Sequence, residues 1–577
     1  VPTTFDVEHT LSADHVATEI ATRWDTWNKL RTGWVNEKKE LRNYLYATDT
    51  TTTSNKKLPW SNSTTTPKLT QIKDNLHANY FAALFPQQNW MRWYGEDEAS
   101  DTKIKRETVQ AYMQNKVDQS SFVDTCSVLL DDYIQYGNCF GTVSFERGYI
   151  DKESGEVMEG YVGPRLTRLS PFDICFDLQA ATFEKTPKII RSILTLGEVK
   201  RKVDDGDTSM QAVFSRMLGN RQAVLDQSDL SKSEGFVADG FSDIQHYYGS
   251  DYVEVLTFYG DMYDRNTNEL MSDRIIQVLD RAYVLSNVEN PSWHGISPIF
   301  KAGWRDRPDN LYSMGPLDNL VGMQYRIDHL ENLAADVFDQ IALPMIKIRG
   351  MVEDFEQQPG ERIYIGEEGD VGYLHPDTTA LNADFKIDIL QNRMEEMAGA
   401  PRSAMGIRTP GEKTAFEVQT LQNQAGRIFQ HKTAHFERVF VEPVLNAMLE
   451  TARRNMDQEE VIRIHDEAQG VTIFDTIQKS DIVAKGKLRP LGARHFAERA
   501  QRLQNLQQVW QVKQTDPTVA AHLSGKLFAQ IMADELGEPA LYKENIAVEE
   551  QLATQRMATE AEVQFQEEQQ IATELGL

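Results

Sequence analysis

The stretch GPLDNLVGMQYRIDHLENLAADVFDQIALPMIKIRG, residues 315–350, decides how this chain is read. Leu320, Ile327, Ala334 and Ile341 fall seven apart, and so do Met323, Leu330 and Val337. That spacing is an a/d seam and predicts a helix over 317–343. Its 27 residues would span roughly 40 Å at 1.5 Å per residue. Gly315-Pro316 opens the helix, Pro344 stops it, and MIKIRGM then reads as strand. The expected packing positions are Leu320, Ile327, Leu330, Val337 and Ile341. Such a seam needs helical neighbours, from the same chain or from copies of it.

Downstream, residues 345–376 keep a β texture, with a turn at Gln358-Pro359-Gly360. A helix follows at 380–398 and stops at Gly399-Ala400-Pro401. The polar loop RSAMGIRTPGEK covers 402–413, and a long helical pattern covers 414–455, with a kink expected at Pro443. VAKGKLRPLG (483–492) is strand-like, and helices are expected at about 493–511 and 517–536. From 544 onward there are eight Glu and one Arg.

Upstream, 12–47 reads as one helix capped by Ser12. A loop follows at 48–66, where eight of nineteen residues are Thr. Thr66-Pro67 should open the next helix as N-cap and first helical residue. Residues 101–136 continue helical to Gly137. The texture then changes to alternating β-branched and aromatic runs at 139–149, 160–169, 252–264 and 274–285. Residues 202–250 read as helix fragments and loops on a periphery. The sum is a mixed α+β chain with no internal repeat.

Composition narrows function. There are 577 residues, with 60 Lys+Arg against 87 Asp+Glu, for a net charge of −27. That balance argues against a protein that grips duplex DNA by neutralising many phosphates. Three Cys (Cys126, Cys139, Cys175) cannot build a disulfide framework or a four-cysteine zinc site, and buried thiols in a reducing compartment are expected. No apolar run is long enough for a membrane span, and VPTTFDVEHT has no secretory pattern.

Motifs for catalysis are weak. Gly406 to Thr414 nearly spells a phosphate-binding loop, but Glu412 stands between Gly411 and Lys413 and would repel a phosphate. His431 and His435 share a helix face and could chelate a metal, but a helix surface with two polar His is the commoner explanation. Asp131/Asp132 and Glu367/Glu368 point apart on a helix and read as solvated charges. No nucleophile–base constellation and no cofactor motif is present. Loop 402–413 does concentrate Arg402, Arg408 and Lys413 against Glu412 alone, in an acidic chain.

Several segments, in order, resemble phage portal proteins, the head-to-tail connectors of tailed and particularly short-tailed phages. They are KLTQIKDNLHANYFAALFP (68–86), YIQYGNCFGTVSFE (133–146), RLSPFDICFD (168–177), 289–350 with Ser313-Met314-Gly315-Pro316 and Gln324, and MGIRTPGEKTAFEVQ (405–419). The resemblance is spread over about 68–530 and does not reach 202–250 or the last forty residues.

It implies a portal-type fold that assembles as a ring, usually of twelve subunits. Residues 1–316 would be the wing, 317–344 the stem helix, and 345–379 a small α/β clip. Residues 380–401 would be the second stem helix and 402–413 the tunnel loop. The long kinked helix and return to the wing would occupy 414–492, and a helical crown with an acidic tail 493–577. Arg402, Arg408 and Lys413 would face DNA. Arg349, Glu361, Arg362 and Tyr364 would lie at the clip interface. The implied partners are copies of this chain, double-stranded DNA, large terminase, major capsid protein and scaffold, and head–tail adaptor or tail proteins. No membrane, metal or other cofactor is implied. The expected location is the capsid portal vertex of a virion, reached from the host cytoplasm, and the chain would not be an enzyme. Rival readings are a nucleotide-driven motor, which lacks an intact phosphate loop, and a non-channel scaffolding or coiled-coil adaptor, which the strand content opposes. A pocket hydrolase is a third.

Overall fold

A computed structural model describes residues 14–46, 62, 64–85, 90–146 with short gaps, 161–226 save 205–207, and 249–290 with short gaps. It further describes 298–350, 364–365, 370–374, 383–399, 429, 431–456, 460–466 and 471–491. Isolated residues 506, 510, 528, 531 and 532 complete the set. Two compact units divide the chain, one formed by 1–458 with 479–492, the other by 459–478 with 493–577.

The first unit mixes helices and sheets, in keeping with the α+β reading. Helices α1 (Asp14–Leu30), α2 (Thr32–Tyr46) and α3 (Lys68–Leu84) lead into β1 (Met91–Gly95), α4 (Lys103–Gln119) and α5 (Phe122–Gln135). Then come β2 (Asn138–Glu146), β3 (Gly163–Leu169), β4 (Ile174–Phe176), β5 (Lys188–Thr195), α6 (Leu196–Asp204) and α7 (Thr208–Asp226). Strands β6 (Tyr252–Asp264), β7 (Glu269–Leu279), β8 (Tyr283–Glu289) and β9 (Ile299–Gly303) precede α8 (Val321–Ala342). Strands β10 (Met345–Arg349) and β11 (Asp370–Leu374) are followed by α9 (Asp384–Ala398) and α10 (Glu442–Asn455). The short α11 (Lys479–Ile482) and β14 (Gly486–Pro490) close the unit. In the second unit, β12 (Glu460–Asp466) pairs antiparallel with β13 (Val471–Ile477).

The five-stranded antiparallel sheet runs β4-β5-β6-β7-β8. Its alternation explains its coverage. Leu256 and Phe258 point to α1, where Val16, Ile20 and Trp24 bury against them with Ile189, Ile276 and Val278. Val253 and Val255, one position out of phase, meet Val199 and Val203 of α6 and Phe214 and Met217 of α7. The sheet is therefore sandwiched between helices. A second sheet, β3-β2-β9, packs beneath α10. A Cβ on Gly141 of β2 would lie 2.9 Å from the Phe440 ring, so the long helix closes on the sheet where that strand has no side chain.

Several sequence expectations change. The single helix over 12–47 divides at Arg31, whose buried guanidinium donates to the carbonyls of Pro171 (3.0 Å), Ile174 (2.7 Å) and Phe172. The helix over 101–136 divides at Ser121, which takes a left-handed φ of 53°. Thr66 does not cap α3. Pro67 stands at the cap with no side-chain hydrogen bond. The run 274–285 is a hairpin, because Asp280 (φ 47°) and Arg281 (φ 60°) turn the chain between β7 and β8. Ion pairs hold that turn: Arg221 grips Asp280 at 2.7 and 2.9 Å, and Arg281 grips Glu254 at 2.7 and 3.0 Å.

Other expectations agree. The chain does turn at Gly137, whose φ is +72°. A Cβ there would sit 2.3 Å from the Gly315 nitrogen, so the two glycines meet backbone to backbone. Residues 486–490 form the expected strand and pair with β1. Ahead of Pro443 the long helix passes through a π turn, Glu437–Val441, and the Glu442 amide bonds back to the Glu437 carbonyl. The wider turn accommodates the proline without ending the helix.

Candidate functional site

The region singled out by the sequence is α8 with its flanking elements. Helix α8 follows a single 3-10 turn, Asp318–Leu320, directly after the Gly137–Gly315 contact. Asp318 caps that entry by accepting from the Gly315 amide at 2.8 Å, and its other oxygen binds buried Lys38 of α2. Burial lowers the Lys38 ammonium's pKa, and the Asp318 charge partly restores it. The helix leaves through Leu343 into the β10–β11 ribbon, and α9 returns alongside α8. Gly399, at φ +75°, ends α9 as expected.

Of the predicted packing positions, Leu320 and Ile327 are buried, Leu330 and Val337 half-buried, and Ile341 exposed. The strip of α8 most deeply covered by its own chain is polar: Gln324, Asp328 and Asn332 are buried beside Ile327. Backbone groups of Asn62, Thr64 and Thr66 lie on them. The Thr66 amide donates to Asp328 Oδ1 at 3.0 Å, and Gln324 Nε2 donates to the Thr66 carbonyl at 2.5 Å. Asn332 takes both backbone groups of Thr64, at 2.7 and 2.9 Å. Asp336 Oδ1 accepts from the Asn62 amide at 2.6 Å. The match is geometric. Two residues of extended chain advance about 6.6 Å, and four of helix about 6.0 Å. Sequence reasoning missed this ladder, whose trace is the four-residue recurrence Gln324, Asp328, Asn332, Asp336 opposite a Thr-rich segment.

The rest of α8, the ribbon and part of α9 leave large apolar side chains open. Phe338 is 61 % exposed, Leu343 71 % and Phe385 73 %. In the ribbon, Ile346 stands opposite Tyr373 and Ile348 opposite Val371, so they share one face, while Met345 and Leu374 share the other. Met345, Ile348, Tyr373 and Leu374 are all exposed. Among the described residues this ribbon has two strands, a size that is marginal in water by itself, and it carries apolar side chains on both faces.

Arg349 ends β10 opposite Asp370 and is exposed, as is Tyr364. Glu361 and Arg362 lie outside the described residues, and so do Arg402, Arg408 and Lys413 with the whole 402–413 loop. Most of the acidic tail and crown lies outside them too, although Leu506, Trp510, Phe528, Ile531 and Met532 are helical.

The other candidates settle into structural roles. Asp132 is buried, not solvated. Burial pushes its carboxyl up to about 6 against the opposing pull of Arg168, which holds it at 2.5 and 2.8 Å. Asp131 pairs with Lys73 at 3.1 Å. His435 faces Asp306 at 3.5 Å, and that contact helps draw the Asp306 carboxyl down to about 2. Cys126, Cys139 and Cys175 are buried thiols that form no disulfide, as expected, and burial pushes the thiols of Cys126 and Cys139 upward. Among the described residues no group of three His, Cys, Asp or Glu side chains could hold a metal ion, and no helix is long and apolar enough to cross a membrane. No protein-family model matches the chain, and no curated protein matches it.

Proposed function

We propose that this chain is a portal protein: a subunit of a ring at one capsid vertex through which double-stranded DNA is packaged and later ejected. The observation that carries the proposal is the set of exposed apolar side chains on α8, the β10–β11 ribbon and α9. A single chain exposes Phe338, Leu343 and Phe385 to water there, a patch of the kind that marks interaction surfaces. Closed cyclic assembly lets each copy cover such a surface with its neighbour. The α8–ribbon–α9 hairpin has the order of elements that the portal resemblance assigns to stem, clip and stem.

The net charge of −27 supports the conduit role, because twelve copies would surround DNA with a mostly repelling wall and little salt-sensitive affinity. In this reading Arg402, Arg408 and Lys413 touch DNA transiently at the tunnel loop. The 345–379 segment docks terminase during packaging and the tail adaptor afterwards, and the chain turns over no substrate by itself. Negative-stain imaging of the purified chain tests the assembly: perforated rings are expected, and a monomer under every assembly condition tried overturns the proposal. Charge-neutral substitutions at Arg402, Arg408 and Lys413 should leave rings intact but change packaging or DNA retention. Unchanged packaging and retention would remove their assigned role.

A further inference from the structure

We propose that the segment carrying Asn62, Thr64 and Thr66 is a detachable strap on α8, docked through its backbone, whose hold is set by the charge state of Asp328. The inference needs only this chain, so it stands apart from the ring.

The contacts define a strap more than a core element. At Thr64 and Thr66 the partner atoms on the strap are main-chain N–H and C=O groups. Gln324 binds both sides of the junction, donating to the Thr66 carbonyl and accepting from the Leu69 amide at 3.3 Å. The strap therefore ties α8 to the start of α3. Hydrogen bonds of this kind stabilise by about 1 kcal/mol each net, so a handful can hold a segment and still release it. Hydrophobic core clusters such as that under α1 have no such option.

Among the described residues, two buried atoms at this seat have no hydrogen-bond partner: Thr65 Oγ1 and Asp328 Oδ2. The second marks where charge matters. Asp328 Oδ1 accepts from the Thr66 amide and from Gln324 Nε2 at 2.8 Å, while Oδ2 is buried with no protein partner among the described residues. An ionised carboxylate with one such buried oxygen is costly, and a proton on Oδ2 relieves that cost.

The surrounding charges do not neutralise it. On its own helix Glu331 pushes the same way, and His329 stacks on Tyr325 at 6.2 Å. From α3, buried Lys68 is engaged by Glu395 of α9 at 2.5 Å, and Lys73 by Asp131. From α2, buried Lys38 is engaged by Asp318. The other charged side chains of α2 and α9 are exposed. Burial, aided by Glu331, pushes the Asp328 carboxyl up to about 6, against the pull of the Thr66 and Gln324 bonds.

The sign follows. The strapped state binds the proton more tightly than a released, hydrated Asp328 near 3.9. The hold is therefore strongest in acid, weakens as pH rises from about 3.9 to about 6, and is level above that. Between pH 5 and pH 7 the strap should open about tenfold more often.

Hydrogen exchange of the full chain tests this, reading the Thr64 and Thr66 amides at pH 5, 6 and 7 against their intrinsic rates. Protection should fall about tenfold across that range while the α1-covered sheet stays unchanged. Asp328→Asn keeps the Oδ1 acceptor without the charge and should make protection independent of pH. Asn332→Ala should weaken protection at Thr64 yet keep the pH slope. A flat profile in the unsubstituted chain overturns the proposal, as does an unaltered slope in Asp328→Asn. If Asp328→Asn does not fold, the wild-type profile and Asn332→Ala decide.

Discussion

Replacing Phe338 with Asp probes the assembly surface most directly. Phe338 lies on α8 and is 61 % exposed in the single chain. A fully buried aromatic side chain covers about 150–250 Å², so roughly 100–150 Å² remains for a neighbour to cover. At about 25 cal/mol per Å² that is worth about 3 kcal/mol per subunit contact. A factor of ten in association needs about 1.4 kcal/mol, so the loss corresponds to at least a hundredfold weaker contact. A carboxylate trapped in the interface would weaken it further. The isolated fold should hardly notice, since a surface substitution changes stability within about 0.5 kcal/mol. Sedimentation and native mass spectrometry across a concentration series would read the assembly, and urea unfolding would read the chain. The expected result is an unchanged unfolding midpoint with rings lost at concentrations where the unsubstituted chain forms them. Rings that persist at those concentrations, in both Phe338→Asp and Leu343→Asp, would refute the argument that this surface is the subunit contact.

Three further outcomes test the fold. Gly137→Ala should cost about 2–5 kcal/mol in urea unfolding, combining a left-handed φ with overpacking against Gly315. Lys68→Met should cost about 3–5 kcal/mol by removing the buried ammonium that pairs with the buried Glu395 carboxylate, whereas adding Glu395→Leu should restore most of it, because an apolar pair of similar volume carries no desolvation cost. The thermal midpoints of the single and double variants decide this. Finally, none of the three cysteines should react with a thiol reagent in the native chain, and all should react in denaturant. Rapid native labelling of Cys126 or Cys139 would show that their burial is wrong.

Much of the secondary structure was legible because local rules act over a few residues. Gly137, Gly315-Pro316, Pro344 and Gly399 mark chain reversals by backbone freedom or by a missing N–H, and each stands at an element boundary. Strand alternation at 252–264 was readable for the same reason. What failed depended on distant partners. The break at Arg31 exists because carbonyls about 140 residues away need a donor. The hairpin at 280–281 is held by Arg221 and Glu254. Strands β4 and β9 hold only three and five residues and stand out only once neighbours pair with them.

The sequence by itself determined that this is an acidic α+β chain with a long helix flanked by strands, since charge, periodicity and breakers need no tertiary partner. The heptad spacing on that helix is real, yet spacing cannot say which residues an element of the same chain will cover. Only the tertiary structure decided that a polar ladder faces the Thr-rich segment while Phe338 and Leu343 stay open. The reason is that burial is a property of what lies opposite a side chain, and residues more than 250 positions apart supply it here.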